Sequence, residues 1–195
     1  TKVMLPSGKT GYVPTKEIKP HTGFVSIAMG EGSSESISPE TTEAIIAEAE
    51  KLLGAPYLWG GMSAKGVDCS GLVRICHIMN GIHLPRNASQ QVKCGERIEI
   101  PLEARDDNEG AAHGDRTESL KEDMTRRISN LQRGDLVFFD TPASDERPIR
   151  ITHVGIYLGN NRIIHSSHRV RINSLIPGDP DYYENAHRLV AAIRL

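Results

Sequence analysis

The sequence of 195 residues lacks a long apolar run, a basic run and any CxxC pair. A helix that spans a bilayer needs about 20 consecutive apolar residues, so no such helix is predicted. The net charge of −2 and the missing basic run argue against nucleic-acid binding. The missing CxxC pair argues against a zinc knuckle and a thioredoxin-type redox site. The composition, 38% hydrophobic and 25% charged, is that of a globular protein.

Cysteine is scarce, with Cys69, Cys76 and Cys94 as the three occurrences. If Cys69 and Cys76 share a helix, they lie roughly 10 Å apart, which is too far for a disulfide. We therefore expect no disulfide framework. The chain begins at Thr1 with neither an initiator Met nor a signal-peptide pattern, which predicts a truncated or processed chain and leaves open whether an export signal preceded it.

Changes in composition divide the chain into segments. Two short apolar pieces within residues 5–20 surround a glycine turn and predict that residues 1–28 end a small β-barrel. Residues 29–37 are rich in Gly and Ser and predict a linker before a domain over residues 38–195. Residues 103–130 are charged and poor in large apolar side chains, which predicts a solvated surface insertion with a short helix near 118–128.

Two helices are predicted early in this domain. Ser38 fits an N-cap, Pro39 fits the first helical position, and Gly54 fits the left-handed residue after the end. A second helix runs from about Cys69 to Asn80 with Asp68 as its N-cap. The predicted buried stripes consist of Ile45, Ala49, Leu52 and Leu53 on the first helix, and of Leu72, Ile75, Cys76 and Met79 on the second.

After residue 135 the apolar period changes from helical to two, which is typical of β-strands. The segments with this period are 136–140, 152–159, 162–167, 169–175 and 187–195. Gly159, Asn160 and Asn161 have the composition of a hairpin turn. Helices followed by consecutive antiparallel strands predict the α+β class.

The stretch "GAPYLWGGMSAKGVDCSGLV", residues 54–73, places Cys69 at a predicted helix N-terminus. Free N–H groups and the helix dipole at that position favour a thiolate, which is the nucleophilic form of cysteine. Gly60, Gly61 and Gly66 predict a tight backbone path with open space over the sulfur. Cys76 falls on the apolar stripe and is predicted to be a core residue. The local sequence alone fits a structural Cys69 as well as a nucleophile.

Three of the eight histidines lie on predicted strands, namely His153, His165 and His187. The polar surroundings of His187 favour a surface position, whereas His153 and His165 lie on consecutive strands. If the strands form a hairpin about Asn160, His165 comes opposite Gly155 and lies diagonally from His153 on the same face. A one-residue slip would move His165 to the other face. Two such histidines could bind a metal, but no nearby carboxylate completes a metal site. We therefore favour a thiol–imidazole–imidazole array with Cys69.

The motifs "PYLWGG", "DCSGLV", "LPR…SQQ", "RGDLVFF" and "HVGIYLGNNRIIHSS" together resemble the NlpC family of bacterial cell-wall cysteine peptidases. The resemblance covers about residues 40–195. It implies a papain-like α+β fold with N-terminal helices on an antiparallel sheet of about five to six strands. It also implies Cys69 as nucleophile, His153 as base, His165 as its orienting partner, and a Tyr57 hydroxyl near the sulfur. The first 20 residues resemble the end of a bacterial Src-homology-type targeting barrel.

The resemblance also supplies candidates for substrate binding, namely Ser70, Trp59, Asn87 and Ala88. Relatives that cut after γ-D-glutamate, with a free N-terminal L-alanine, usually have Asp-Ser after "PR", and the Asp pairs with the substrate ammonium. This chain has Asn87 and Ala88 at those positions, so it lacks that charge. Losing a charge-assisted hydrogen bond weakens binding by about 1.5–3 kcal/mol. The free-amine preference is therefore in question.

The resemblance implies an endopeptidase that hydrolyses an amide bond of peptidoglycan stem peptides for cell-wall remodelling or recycling, and the bond it implies is γ-D-glutamyl–diamino acid. It implies no metal or cofactor, and a bacterial envelope location, periplasmic or secreted, rather than the cytoplasm. Two alternatives stay open. One is an amidase or acyltransferase acting on a non-murein substrate, and the other is a catalytically silent wall-binding module.

Overall fold

A computed structural model describes residues 2–4, 10–12, 14–15, 25–26, 36–101, 116–140 and 150–195. The helices are α1 (Pro39–Lys51), α2 (Cys69–Ile78), α3 (Ala88–Gln91) and α4 (Arg116–Arg127). The strands are β1 (Lys2–Met4), β2 (Thr10–Tyr12), β3 (Val25–Ser26), β4 (Met62–Ser63), β5 (Gly66–Val67), β6 (Ile82–His83), β7 (Glu96–Ile98), β8 (Leu136–Asp140), β9 (Ile151–Gly159), β10 (Arg162–Ser167), β11 (Arg169–Ser174) and β12 (Leu189–Arg194).

The centre of the domain is a six-stranded sheet with the order β11-β10-β9-β8-β12-β7. Every neighbouring pair in it is antiparallel. Helices precede the main strands, so the predicted α+β class and the strand number are confirmed. β12 begins at Leu189, because residues Ala186–Arg188 form a short 3-10 helix instead of the start of a strand. Strand β7 was not predicted.

The sheet has an apolar core on each face. Along β8, β9 and β10, every second side chain points to the face of the sheet that α1 and α2 cover. The side chains that alternate with them point to the opposite face. The helix-side core includes Leu72, Cys76, Phe138, Val154 and Ile156. The opposite core includes Met124, Val137, Phe139, Tyr157 and Ile163. His153 and His165 belong by parity to the second face.

The starts of α1 and α2 are as predicted. The N–H of Thr41 donates to Ser38 Oγ at 3.2 Å, and Pro39 is the first residue of α1. Gly54 and Gly81 have φ of 83° and 82° beyond the two helix ends.

The predicted stripes are partly wrong at the ends of these helices. Leu53 is 46% exposed and Met79 is 60% exposed, because each lies beyond the last helical residue. Ile75 is only partly buried. Ile46 and Val73 are fully buried instead, because the domain covers a wider face of each helix than a narrow stripe.

The predicted helix at 118–128 is α4, but the solvated interpretation of residues 103–130 is wrong for its later part. Met124 and Ile128 are 2% and 3% exposed and pack into the second core. Residues 103–115 lie outside the described residues.

Near the N-terminus, β1 and β2 are paired in antiparallel orientation. The predicted barrel end over residues 1–28 and the linker over 29–37 lie largely outside the described residues and stay predictions. No helix in the described part of the chain is long and apolar enough to cross a membrane.

Candidate active site

Cys69 is the first residue of α2, and Asp68 is the N-cap, with its Oδ1 accepting from the N–H of Gly71 at 2.6 Å. The cysteine is buried, with 7% of its surface exposed. Its sulfur lies 3.9 Å from the carbonyl oxygen of Thr152 and accepts from the N–H of Val154. Thr152 and Val154 flank His153, so the sulfur lies against the part of β9 that carries this histidine.

Asp68 also fixes the loop that precedes α2. Arg86 donates to both of its carboxylate oxygens, at 3.0 and 2.5 Å, and the N–H of Gly60 donates to Oδ2 at 2.8 Å. Arg86 Nη1 also donates to Ser70 Oγ at 3.0 Å. Burial would raise the pKa of Asp68, but the hydrogen bonds from Arg86, Gly71 and Gly60 outweigh burial and hold the pKa below its ordinary value. Asp68 is therefore a carboxylate that joins three chain segments.

Two of the glycines before Cys69 allow the segment that precedes α2 to pack closely on itself. A Cβ on Gly66 would lie 2.7 Å from Leu58 Cβ, and a Cβ on Gly61 would lie 2.4 Å from the carbonyl oxygen of Gly66. Gly61 and Gly66 therefore permit the predicted tight path, because a side chain at Gly61 would meet backbone atoms and one at Gly66 would meet the Leu58 side chain. The space that they leave is filled by these neighbours and does not lie open over the sulfur. Gly60, with φ of 77°, does make the predicted tight turn.

The histidines meet through the predicted hairpin. Asn160 and Asn161 both have positive φ, and β10 pairs with β9 so that Ile163 faces Tyr157 and Ile164 faces Ile156. This register is the one that brings His165 beside Gly155, and it confirms the prediction.

Gly155 leaves the space that the second imidazole occupies. A Cβ added there would lie 3.2 Å from His165 Cβ. As a result, His153 Nε2 lies 2.7 Å from His165 Nδ1. The two rings are therefore directly hydrogen-bonded.

The positions of the ring protons on His153 and His165 follow from the orientation of the Asn173 amide, which a backbone carbonyl fixes. Asn173 Nδ2 donates to the carbonyl of Asp181 at 2.6 Å, which leaves Asn173 Oδ1 to accept from His165 Nε2 at 2.9 Å. Since His165 carries its proton on Nε2, its Nδ1 accepts from His153 Nε2. His153 then has an unprotonated Nδ1, which is the state that a general base needs.

Burial controls the charges of the array. Burial lowers the pKa of His153 to about 3, with His165 and Arg171 acting in the same direction. Burial also lowers the pKa of His165 to about 4, against the hydrogen bond with Asn173. Both imidazoles are therefore neutral at pH 7.

The expected low pKa of Cys69 is not found. Burial raises the pKa of its thiol, and this outweighs the N–H groups of Val154 and of the helix start, which favour the thiolate. The unliganded site therefore holds a thiol and a neutral imidazole, and attack requires that the thiol proton be transferred.

Two tyrosines border the site. Burial raises the pKa of Tyr57, and the charge of Cys69 and then that of Asp68 act in the same direction, so the phenol stays protonated. Tyr183, which the sequence did not single out, stacks edge-on against His165 with ring centroids 4.6 Å apart, and its ring centroid lies 5.7 Å from that of His153. Asn173 was missed as well, and its place on a predicted strand face was its sole signal.

The four substrate-binding candidates have different surroundings. Ser70 is buried against Arg86 and Asp68 Oδ1, while the Trp59 side chain is 85% exposed. Asn87 is exposed at the start of α3, where its N–H donates to Gln90 Oε1 at 3.4 Å. Ala88 is 7% exposed and belongs to the helix-side core. Ala88 is therefore poorly placed to contact a ligand.

Neither the other two cysteines nor, among the described residues, a metal-binding group extends the candidate site. Cys76 and Cys94 are fully buried and form no disulfide, and burial raises the pKa of Cys76 to about 12. Among the residues that the structure describes, no group of three or more His, Cys, Asp or Glu could hold a metal ion.

A thiol at a helix N-terminus, packed against an antiparallel sheet that carries an ordered pair of histidines, is the arrangement typical of papain-like cysteine hydrolases. The chain belongs to the NlpC/P60 family, which matches residues 54–187.

Relatives in this family are named as peptidases. The chain is 34% identical over 126 residues to a gamma-D-glutamyl-L-lysine dipeptidyl-peptidase of Bacillus subtilis, covering 65% of this chain and 32% of that protein. It is also 34% identical over 144 residues to the bifunctional muramidase/DL-endopeptidase CwlT of the same organism, covering 70% of this chain and 34% of that one. The chain thus spans about a third of the length of these relatives.

Solved structures agree on the fold. A lipoprotein-like NLP/P60 protein from Staphylococcus aureus is 27% identical with a TM-score of 0.56, and the match covers 85% of this chain and 45% of that one. An NLPC/P60 family protein from Bacillus cereus is 22% identical with a TM-score of 0.60, and the match covers 99% of this chain and 49% of that one.

Proposed function

We propose that this chain is a cysteine endopeptidase that hydrolyses an amide bond in peptidoglycan stem peptides, namely the bond between the γ-carboxyl of D-glutamate and a diamino acid. The proposal rests on the series of hydrogen bonds that runs from Asn173 through His165 to His153. His153 lies on the strand whose backbone, at Thr152, is against the sulfur of Cys69. Similarity to a gamma-D-glutamyl-L-lysine dipeptidyl-peptidase supports the choice of this bond.

The first half of the reaction forms a thioester. Nδ1 of His153 takes the proton of Cys69 as the sulfur attacks the carbonyl carbon. The N–H of Cys69 and the hydroxyl of Tyr57 stabilise the oxyanion that forms. As the carbon–nitrogen bond breaks, His153 gives its proton to the leaving amine.

The second half hydrolyses the thioester. His153, neutral again, removes a proton from water while the oxygen attacks the acyl carbon. The sulfur leaves and regains the proton, and the product is a carboxylic acid. Throughout, His165 holds the ring of His153 in one orientation through Nε2. A metal or cofactor has no role in this scheme.

The acyl half of the substrate extends past Ser70 and Asn87. Asn87 offers hydrogen bonds without charge, so we expect the requirement for a free N-terminal amine to be relaxed. The exposed Trp59 is available to the same half of the substrate. Acting on this substrate, the protein would work in the bacterial envelope, in wall remodelling or recycling. Similarity to a muramidase/DL-endopeptidase and to a lipoprotein-like NLP/P60 protein supports that location.

Defined stem peptides test the bond and the substrate class together. We would incubate the protein with L-Ala-γ-D-Glu-diamino acid-D-Ala, with and without acetylation of the N-terminal amine, and identify products by mass. Release of the diamino acid-D-Ala dipeptide from both forms is expected. Cleavage at any other bond would overturn the assigned bond. Absence of cleavage across several stem peptides, with thioester formation on a different acyl donor, would favour the amidase or acyltransferase alternative.

A further inference from the structure

Two arginines lie near the candidate site, Arg171 beside His165 and Arg188 near Tyr183, and the mechanism above uses neither. Arg171 on β11 pairs directly with His165 on β10, so the two side chains extend from the same face of the sheet. Arg188 ends the short 3-10 helix Ala186–Arg188, which is tied to Tyr183 by a hydrogen bond from the Ala186 N–H to the Tyr183 carbonyl.

Both guanidinium groups have unused donors. Arg171 and Arg188 are partly exposed, yet the Nε of each is buried and makes no hydrogen bond within the described residues. Two other arginines of the sheet differ, because Arg162 pairs with Asp181 and Arg194 pairs with Asp135. A buried donor without an acceptor is unfavourable, so a bound ligand that supplies an acceptor would be stabilised.

Both positive charges act on the candidate site. Burial raises the pKa of Tyr183, and the charges of Arg171 and Arg188 act against that rise. Arg171 also contributes to the lowered pKa of both histidines, after burial. Arg171 is therefore near the rings of Tyr183, His153 and His165, and Arg188 is near the ring of Tyr183.

The position of the two arginines indicates which half of the substrate they would contact. His153 protonates the leaving amine, so the fragment that leaves lies beside the histidines. Arg86, the cation on the Cys69 side, is already bound to Asp68. Two cations with open donors at the leaving side match an anionic leaving fragment, and arginine binds carboxylates with two parallel hydrogen bonds.

We propose that Arg171 and Arg188 form a subsite for a carboxylate on the leaving diamino acid. The subsite favours a stem peptide with meso-diaminopimelate over one with L-lysine, because the two residues differ at this point by one carboxylate. This inference rests on the proposed function.

The test compares three tetrapeptides, L-Ala-γ-D-Glu-X-D-Ala. X is meso-diaminopimelate, meso-diaminopimelate amidated at its free carboxyl, or L-lysine. We expect kcat/KM for the first to exceed that for the other two by roughly 10- to 100-fold, chiefly through KM. Arg171→Met and Arg188→Met should each reduce this ratio toward one, and Arg171→Lys should restore part of it. Arg97→Gln, a charge loss at an exposed site on β7 at the other edge of the sheet, should leave the ratio unchanged.

The outcomes separate the two proposals. Equal kcat/KM for all three peptides would overturn the carboxylate subsite and leave the peptidase activity in place. Cleavage of none of them would overturn the proposed function, and the subsite with it. Equal slowing of all three by Arg171→Met would reduce Arg171 to a structural role. If the Met variants fail to fold, the unaltered protein still tests the carboxylate subsite. The test is then the ratio of kcat/KM for the meso-diaminopimelate peptide to kcat/KM for its amidated form.

Discussion

His153 Nε2 lies 2.7 Å from His165 Nδ1, and the direction of this hydrogen bond is set by Asn173 on the far side of His165. Because Asn173 accepts from His165, His165 must accept from His153. The second histidine therefore acts as a neutral acceptor that keeps Nδ1 of His153 free, and it does not need to carry charge.

This role predicts that glutamine can replace His165. A glutamine carbonyl accepts and its amide donates, as neutral His165 does. We expect His165→Gln to retain kcat within about tenfold, and His165→Leu to lose about 100-fold or more in kcat with KM little changed. The measurement is steady-state hydrolysis of a stem peptide. Equal losses in the two variants would show that the acceptor role is wrong.

The lowered histidine pKa values predict activity in mild acid. Folded-state values of about 3 for His153 and about 4 for His165 lie below the ordinary 6.5, so the base stays unprotonated as the pH falls. We expect kcat/KM to stay level from pH 7 to about pH 5 and to fall below that. The check is a pH–rate profile with circular dichroism at each pH. An acid limb near pH 6.5 in folded protein would contradict the neutral array.

His77 predicts a pH dependence of stability. It is 1% exposed, its Nδ1 donates to the carbonyl of Val73, and burial lowers its pKa to about 4. The unfolded chain therefore binds a proton that the folded chain does not, and stability is lost as pH falls below about 6.5. From this group alone, the free energy of unfolding should fall by about 2 kcal/mol between pH 7 and pH 5.

Urea unfolding of His77→Leu at the two pH values checks this contribution. Between pH 7 and pH 5, the free energy of unfolding of His77→Leu should fall by about 2 kcal/mol less than that of the unaltered protein. This difference is expected whatever the stability of the variant at pH 7. Parallel curves for the two proteins would contradict the prediction.

The ion pair between Asp68 and Arg86 predicts a stability effect. Asp68→Ala removes the cap of α2 and leaves Arg86 unpaired, so we expect a loss of about 3 kcal/mol in the free energy of unfolding. Asp68→Asn keeps the cap acceptor and should cost less. Glu118→Gln, in an exposed pair with Lys121, is the control and should stay within about 0.5 kcal/mol. A loss for Asp68→Ala no larger than that of the control would refute the role of Asp68.

The sequence predicted those parts of the site that depend on local pattern. Alternation along β9 and β10, with the asparagine turn between them, was enough to place His153 and His165 on one face. Asp68 and Cys69 followed from the rules of helix starts. These features are encoded within a few residues of one another.

The rest depends on segments that are distant in the chain. Tyr183, Asn173 and Arg86 have no local pattern that marks them, and they reach the site only after the sheet and helices pack. The burial of Met124 in α4 and the exposure of Met79 after α2 are likewise set by what packs nearby. β7 has three residues, which is too short for a period to be recognised.

The central claim is that Cys69 is the nucleophile, and the most direct measurement is kcat/KM of Cys69→Ala on the L-Ala-γ-D-Glu-diamino acid-D-Ala tetrapeptide. Cys76→Ala is the matched control, because Cys76 is a buried cysteine two turns along the same helix. We predict no detectable hydrolysis by Cys69→Ala and near-normal hydrolysis by folded Cys76→Ala. Hydrolysis by Cys69→Ala at the rate of the unaltered protein would contradict the account.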